Sequence, residues 1–516
     1  MRAWFWIGIS AALLATSYAA SSSALTGGWE VHVLGVEHGS IWDPGGPYFG
    51  GGVLLFHQPY APFVGHPGLT LMLLCHLVAK AVYLPFSSDM AFDAFVARYL
   101  YWVIAASMLS ITGVFLLVLA VIERLALRVL GEPRLAILAV VAYATTFPVL
   151  YYLNKISTEP LLVLFTLLAF LWLWRYYELR GQRLAMVFLA LSAQAAVAAI
   201  YTKVLIVAPI ALFIPAQIVF YGGAPVRRRI RDGGLYVMFC VPGLLLGALK
   251  TDWAYFVQFW FAYAPGAPRY SGSSNWLENL LVNAPTTVLA MLGSALSQLA
   301  PWRLVLSFET REGLFFASEG LFLLLSAAGL VMYLRACRNR PVLLLWFLAF
   351  LGLTAVPYLQ KGLSAWHYLF IHFAVASIFV SYAIARLART LIGANVATLR
   401  GWLLCCCAVL AVNSIGLYLF IDMRRYDARQ NRSWELYYRA PSMVGPGSRI
   451  GLLHAAHIDE IMQPVSAYLP ITGFLEEFRG FFVPISGDEG NAVLKRRGIE
   501  ALVEVTPAGL VFRRVD

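Results

Sequence analysis

The sequence predicts an all-α polytopic membrane domain followed by a small α/β module near the C-terminus. Three observations carry that expectation. Of 516 residues, 60% are hydrophobic and only 13% are charged, against about 25% charged residues in a soluble globular chain. The charge is missing from long runs: Leu135–Leu153 and Gly401–Ile421 contain no Asp, Glu, Lys or Arg, and each is close to the roughly 20 residues that cross a bilayer core. Mean hydropathy is accordingly +0.73. Past Asp422 the composition changes, and strand-like and turn-like stretches replace the apolar runs.

Taken in order, Trp4–Ala20 is apolar and preceded by Arg2. The Ala20-Ser21-Ser22-Ser23 stretch after it has the small-residue character of a signal-peptide cleavage region. An uncleaved first helix is preferred, because the loop that follows needs an anchor. The N-terminus is then cytoplasmic, and the long loop from Thr26 to Arg98 lies outside.

Gly68–Leu84 is apolar enough to suggest a crossing, and the distribution of positive charge decides against it. If the second crossing is Tyr99–Ala120, one side receives Arg124, Arg128, Arg134, Arg175, Arg180, Arg183, Arg227, Arg228, Arg229 and Arg231. The same side receives Arg335, Arg338, Arg340, Arg386, Arg389 and Arg400. The other side receives the single lysines Lys155, Lys203 and Lys361. The positive-inside rule strongly prefers this partition, so Gly68–Leu84 is expected to lie in the outer interface, with His76 and Lys80 interrupting its apolar surface.

About eleven crossings follow on this reckoning. After the first two come Leu135–Tyr152, Pro160–Trp174, Leu184–Ile200, Val204–Phe220, Leu235–Ala248, Leu314–Leu334, Val342–Leu359, His367–Ile384 and Leu403–Ile421. Residues 1–421 make the membrane part, with external loops at 26–98 and 250–312. The second loop carries Trp253, Trp260, Trp276 and Trp302, and aromatics favour the interface. Its apolar part, Leu277–Leu299, is expected to be interfacial or re-entrant. Residues 422–447 form a linker containing Pro441, Gly445, Pro446 and Gly447. An external module over 448–516 then has a strand at Arg449–His454, helices at Ile458–Tyr468 and Asn491–Arg497, and a hairpin. The hairpin runs from Ile499–Val505 through Pro507-Ala508-Gly509 into Leu510–Arg514.

Several function classes are disfavoured. The net charge of +11 comes from short arginine clusters between apolar runs, which read as topology signals and not as a nucleic-acid surface. Cys75, Cys240, Cys337, Cys405, Cys406 and Cys407 show no CxxC spacing and lie in or beside apolar segments, so no disulfide framework or zinc site is expected. Spans without charge and without an inverted repeat give a transporter little to work with.

Titratable groups concentrate in the first loop, which holds Glu30, Glu37 and Asp43 with His32, His38, His57, His66 and His76, out of nine histidines in the chain. Others are expected at the same outer level: Lys155, Glu159, Lys203, Glu319, Lys361 and His367. A lipid-linked anionic substrate would present its phosphate there, with lysines as point charges and a carboxylate as general base toward a hydroxyl. Each has a plainer reading. Glu159 before Pro160 suits a helix start, Arg98 suits a headgroup anchor, and Lys203 and Lys361 suit snorkelling. The histidines show no HxxxH pattern; hydrogen bonding is the favoured role, and a divalent metal stays an open alternative.

The layout resembles the integral-membrane glycosyltransferases of the GT-C class, in particular the protein O-mannosyltransferase and aminoarabinose-transferase branches. Trp29-Glu30-Val31-His32 stands where that family opens its first external loop with an acidic pair and a nearby His or Tyr. His66-Pro67-Gly68-Leu69 matches its His-Pro element before an interfacial helix, and Ala97-Arg98 matches the arginine opening the second crossing. Glu159-Pro160 matches its acidic cap on the fourth helix, and Thr202-Lys203 its Thr-Lys pair after the fifth. The resemblance covers most of residues 1–390 through short motifs, with their order and sidedness as the common thread. Trp29 replaces the first acid of the pair, and Glu30 to Gly39 is shorter than the family's spacing, which leaves the base open between Glu30 and Asp43, with Glu37 also nearby.

The resemblance implies transfer of a sugar from a polyprenyl-phosphate donor to a glycan, lipid or protein acceptor on the extracytoplasmic face of a bacterial inner membrane, inverting or retaining. It implies Glu30 or Asp43 as general base and Arg98, Lys203 and Lys361 as ligands of the lipid phosphate. His32, His66, Lys155, Glu159 and His367 would complete the substrate site. The alternative class is a non-catalytic membrane protein, a transporter or assembly partner that binds lipid-linked glycans.

Overall fold

The computed structural model describes residues 5–14, a few positions between 49 and 56, and 68–146 and 156–251 with short breaks. It also describes 311–336, part of 344–351, 370–392, 449–453, 482–485 and 490–515 with short breaks. The described residues are mostly helical, and six helices are long and apolar enough to cross a membrane, against about eleven crossings expected from the apolar runs. The proposed crossing Leu403–Ile421, the segment Leu277–Leu299, the linker 422–447 and the helix Ile458–Tyr468 lie outside the described residues.

The helices are α1 (Phe5–Leu14), α2 (Leu69–Tyr83), α3 (Leu100–Leu130), α4 (Pro133–Ala144), α5 (Glu159–Glu178), α6 (Arg183–Thr202), α7 (Ile210–Phe220), α8 (Val226–Ala248), α9 (Arg311–Ala336) and α10 (Phe370–Ile392). α5 packs along α6, α6 along α8, α8 along α7, and α9 along α10, while α3 packs against α4 and α5. α5 and α10 are the most enclosed. α8 is the least, with Met238, Leu245 and Leu246 exposed. From Leu235 onward α8 is apolar and open on one side, which suits a lipid neighbour.

Several boundaries depart from the sequence reading: α4 closes at Ala144 and not at Tyr152, α5 runs on to Glu178, and three others move arginines onto helix. α3 runs ten residues past Ala120, because Ile122, Leu125, Ala126 and Val129 keep a helical apolar period and are buried. Arg124 and Arg128 therefore sit on helix and not in a loop. The stop comes at Gly131, whose φ of 74° is the left-handed cap that glycine adopts without penalty, and Pro133 opens α4. α8 begins at Val226 and not at Leu235, so Arg227, Arg228, Arg229 and Arg231 occupy its first two turns. α10 continues past Ile384 through Arg386 and Arg389.

α9 and α10 come unusually close. A Cβ on Gly329 would overlap the Phe379 carbonyl, so the contact depends on glycine, as in many helix pairs within membranes. α2 is also a helix of spanning length by composition, continued by a 3₁₀ turn to Phe86. Its first turn meets the C-terminal end of α6 through Thr70 and Thr202, and its last residue Tyr83 packs on Phe92 and Phe95, which precede α3.

The C-terminal described residues form a four-stranded sheet in the order β2-β1-β3-β4, with β1 (Arg449–Leu453), β2 (Phe482–Ile485), β3 (Ile499–Thr506) and β4 (Gly509–Arg514). β1 is parallel to β2 and β3, and β3 is antiparallel to β4 through the expected hairpin. The helix α11 (Asn491–Arg496) precedes β3 and buries Leu494 against Ile499. β2 is absent from the sequence reading. It is four residues long and contains Pro484, which a sheet tolerates at an edge.

Candidate active site

The charged groups of the described helices sort to two ends of the bundle. α5 begins with Glu159-Pro160, a proline at the first helical turn with an acid where the helix dipole favours one. α6 returns antiparallel and ends at Thr202, with Lys203 as its C-cap. The hairpin brings the two termini together: Lys203 Nζ donates to Glu159 Oε1 at 2.9 Å, with Lys203 7% and Glu159 2% exposed. Thr158 Oγ1 lies 3.4 Å from the second carboxylate oxygen, Glu159 Oε2. A buried pair of this kind is held by the penalty of separating it.

Beside the pair, Thr202 Oγ1 donates back to the Ala198 carbonyl at 2.7 Å. Its single proton is thereby used, so the 2.6 Å contact between Thr202 and Thr70 has Thr70 as donor. The start of α2, just after His66-Pro67, is tied in this way to the residue before Lys203.

Further along α2, His76 is buried and its Nδ1 donates to the Gly52 carbonyl at 3.0 Å. A Cβ at Gly52 would stand 2.7 Å from both Cys75 Cβ and the Met72 carbonyl oxygen, so only glycine lets the loop sit this close. Phe56 packs edge-on to His76, with ring centroids 4.6 Å apart. Lys250, just past α8, donates to the Leu55 carbonyl at 2.9 Å and lies 5.1 Å from the centre of the Phe56 ring. Residues of the first long loop are thus seated on α2, and the first residue of the second loop rests on them in turn.

Of the residues expected in the catalytic or substrate site, Glu159 and Lys203 are described, and they are partners. Glu30, His32, Asp43, His66, Arg98, Lys155, Lys361 and His367 lie outside the described residues, and so does the side chain of Glu319. Among the described residues no group of three or more His, Cys, Asp or Glu gathers as metal ligands would. Sequence reasoning missed Thr70 and Lys250. Lys250 carried the same signal as Lys203, a single lysine closing an apolar run, whereas nothing marked Thr70 among the other threonines.

The opposite end belongs to the arginines. Glu178, at the end of α5, accepts from Arg128 at 3.1 Å and Arg175 at 2.7 Å. Arg389 of α10 reaches Glu132 before α4 at 3.3 Å. Asp232 of α8 is 1% exposed and accepts from Tyr176 and Arg231. Trp6 donates to the buried Glu123 at 3.3 Å, so the helices are not free of carboxylates once their true ends are counted.

No protein-family profile and no curated protein sequence matches the chain. Among solved structures, it is similar to the archaeal oligosaccharyltransferase AglB from Archaeoglobus fulgidus in complex with an inhibitory peptide and a dolichol-phosphate. That similarity covers 95% of this chain and 69% of the other, at 13% identity and a TM-score of 0.44. It is also similar to ArnT from Cupriavidus metallidurans bound to undecaprenyl phosphate, over 90% of this chain and 88% of the other, at 13% identity and a TM-score of 0.46. At these values neither similarity decides what this chain does.

Proposed function

We propose that this chain is an integral-membrane glycosyltransferase of the GT-C type, moving a sugar from a polyprenyl-phosphate donor to an acceptor at the end of the bundle that holds Glu159 and Lys203. One observation supports the reading most. Three elements matched by the resemblance, the helix after His66-Pro67, the Glu159-Pro160 start and the Thr202-Lys203 end, meet through the Thr70–Thr202 and Glu159–Lys203 contacts. The hairpin of α5 and α6 joins two of them, and the third, the start of α2, comes from 132 residues away in the chain, as a common site requires.

In this reading the end carrying Lys203 faces outside and the arginine end faces the cytoplasm, as the positive-inside rule prefers. α2 lies along the outer surface, supported by the contacts of Thr70 and Tyr83 with residues at that same end. Glu30 or Asp43 takes the proton of the acceptor hydroxyl, the acceptor oxygen bonds to the anomeric carbon, and the bond from that carbon to the phosphate oxygen breaks. Polyprenyl phosphate leaves with its charge held by Arg98, Lys203 and Lys361. Glu159 then orients Lys203 as well as balancing it. His32, His66, Lys155 and His367 line the substrate site, and the sheet within 448–516 helps to place a glycan, lipid or protein acceptor.

The test is transfer by Glu30→Gln and Asp43→Asn variants with intact donor binding. Loss of a general base typically lowers the rate by about 10²–10⁴, and one of the two variants should show that loss. If both turn over normally, the first loop is not the catalytic centre and the enzyme reading loses its support.

A further inference from the structure

The arginine end holds more buried guanidinium donors than acceptors. Asp232 Oδ2 accepts from the Tyr176 hydroxyl, and Oδ1 accepts from Arg231 Nε and Nη2 at 3.2 and 3.0 Å. Two further guanidiniums face the same carboxylate: Arg180 Nη2 at 3.6 Å and Arg228 Nε at 3.8 Å. These are ion-pair distances and too long for hydrogen bonds. Arg180 Nε and Nη2 and Arg228 Nε are buried without a hydrogen-bond partner. One carboxylate, already committed to Tyr176 and Arg231, faces three arginines. Buried donors left without acceptors mark the place of an ion or water, and the guanidinium fork suits carboxylate and phosphate oxygens above other acceptors.

We infer that Arg180, in the turn between α5 and α6, and Arg228, at the start of α8, bind the phosphate of an anionic lipid in the adjoining leaflet. Apolar surface for its chains lies on α6, which begins three residues after Arg180: its Leu184, Val187 and Leu191 follow one another at helical spacing and are 58%, 51% and 38% exposed. Inorganic phosphate would satisfy the same donors and gain nothing from that stripe. The site lies at the opposite end of α5 from Glu159, and its role is to hold a structural lipid that joins the α5–α6 turn to α8.

The test uses full-length protein in detergent, stripped of lipid, titrated with phosphatidylglycerol or with inorganic phosphate. Retained lipid is read by native mass spectrometry, and the unfolding midpoint is read alongside. Phosphatidylglycerol should be retained and should raise the midpoint saturably. Inorganic phosphate should act only at much higher concentration. The double variant Arg180→Gln/Arg228→Gln should bind phosphatidylglycerol at least roughly tenfold more weakly, while Arg389→Gln, at the same end but paired with Glu132, should bind as the parent does. Equal action of inorganic phosphate would overturn the lipid and leave a free-anion site. Equal loss in Arg389→Gln would reduce the effect to general charge, and absence of saturable binding to the parent protein sinks the site without recourse to any variant.

Discussion

The two ends of the helix bundle use charge differently. At one end a single lysine and a single carboxylate are buried together, and their neighbours are hydroxyls, a histidine and loop carbonyls. At the other end several arginines share few carboxylates, and most of their pairs are partly exposed. Arginine spreads its charge over a fork of donors and stays ionised in any setting, whereas lysine is a compact point charge that demands a specific partner when buried. The arginine end therefore ties helix termini to one another. The lysine end holds loops in place, which is what a site assembled from long loops requires.

Four experiments break or sharpen that contrast. The largest effect is expected from Lys203→Ala, which strands a carboxylate that is 2% exposed. Removing one partner of a buried pair costs about 3–5 kcal/mol, measurable as a lower unfolding midpoint in detergent. Adding Glu159→Gln should recover much of that loss, and a double variant as unstable as the single would show that the pair does not act as a unit. Asp232→Asn comes next. It removes the one negative charge among Arg180, Arg228 and Arg231, but the side chains of Arg228 and Arg231 are 42% and 62% exposed, so about 1–3 kcal/mol is expected by the same measurement. A cost above that of Lys203→Ala would reverse the contrast between the ends.

Arg389→Ala should be nearly silent. Its pair with Glu132 has side chains 46% and 50% exposed, and exposed pairs contribute about 0–1 kcal/mol. A larger loss would show that lipid or the neighbouring helix encloses that pair. The last experiment carries no energetic change and addresses which end faces out. Ser88 is exposed just past α2, and a cysteine there, on a background lacking the native cysteines, should react with an impermeant reagent added to intact cells. Reaction only after permeabilisation would place α2 across the membrane and pull the proposed site apart.

Much of the helical architecture was legible in the sequence because a helix within a bilayer must satisfy its backbone internally over a nearly fixed length. The starts of α5 and α6 and the hairpin of β3 and β4 agree with expectation within a residue or two for that local reason. The boundaries differ where arginines read as loop markers in the sequence. Arg124, Arg128 and Arg227–Arg231 ride on helix, since a long side chain can reach polar surroundings from a helical position. The strand Phe482–Ile485 was missed because proline argues against a strand in sequence, and only its place at the sheet edge makes it acceptable.

The sequence by itself determined that this is a membrane chain with asymmetric positive charge, and it singled out Glu159 and Lys203 separately, each as a charge at the end of an apolar run. Only the tertiary structure decided that they are partners. The same holds for Thr70 with Thr202, for His76 with Gly52, and for Lys250 with Leu55, contacts between segments whose spacing in the chain carries no pairing signal. Helix formation is a property of neighbouring residues and can be read from them. The meeting of helix ends depends on how antiparallel helices pack, and on which glycines let two backbones approach, and that is settled in three dimensions.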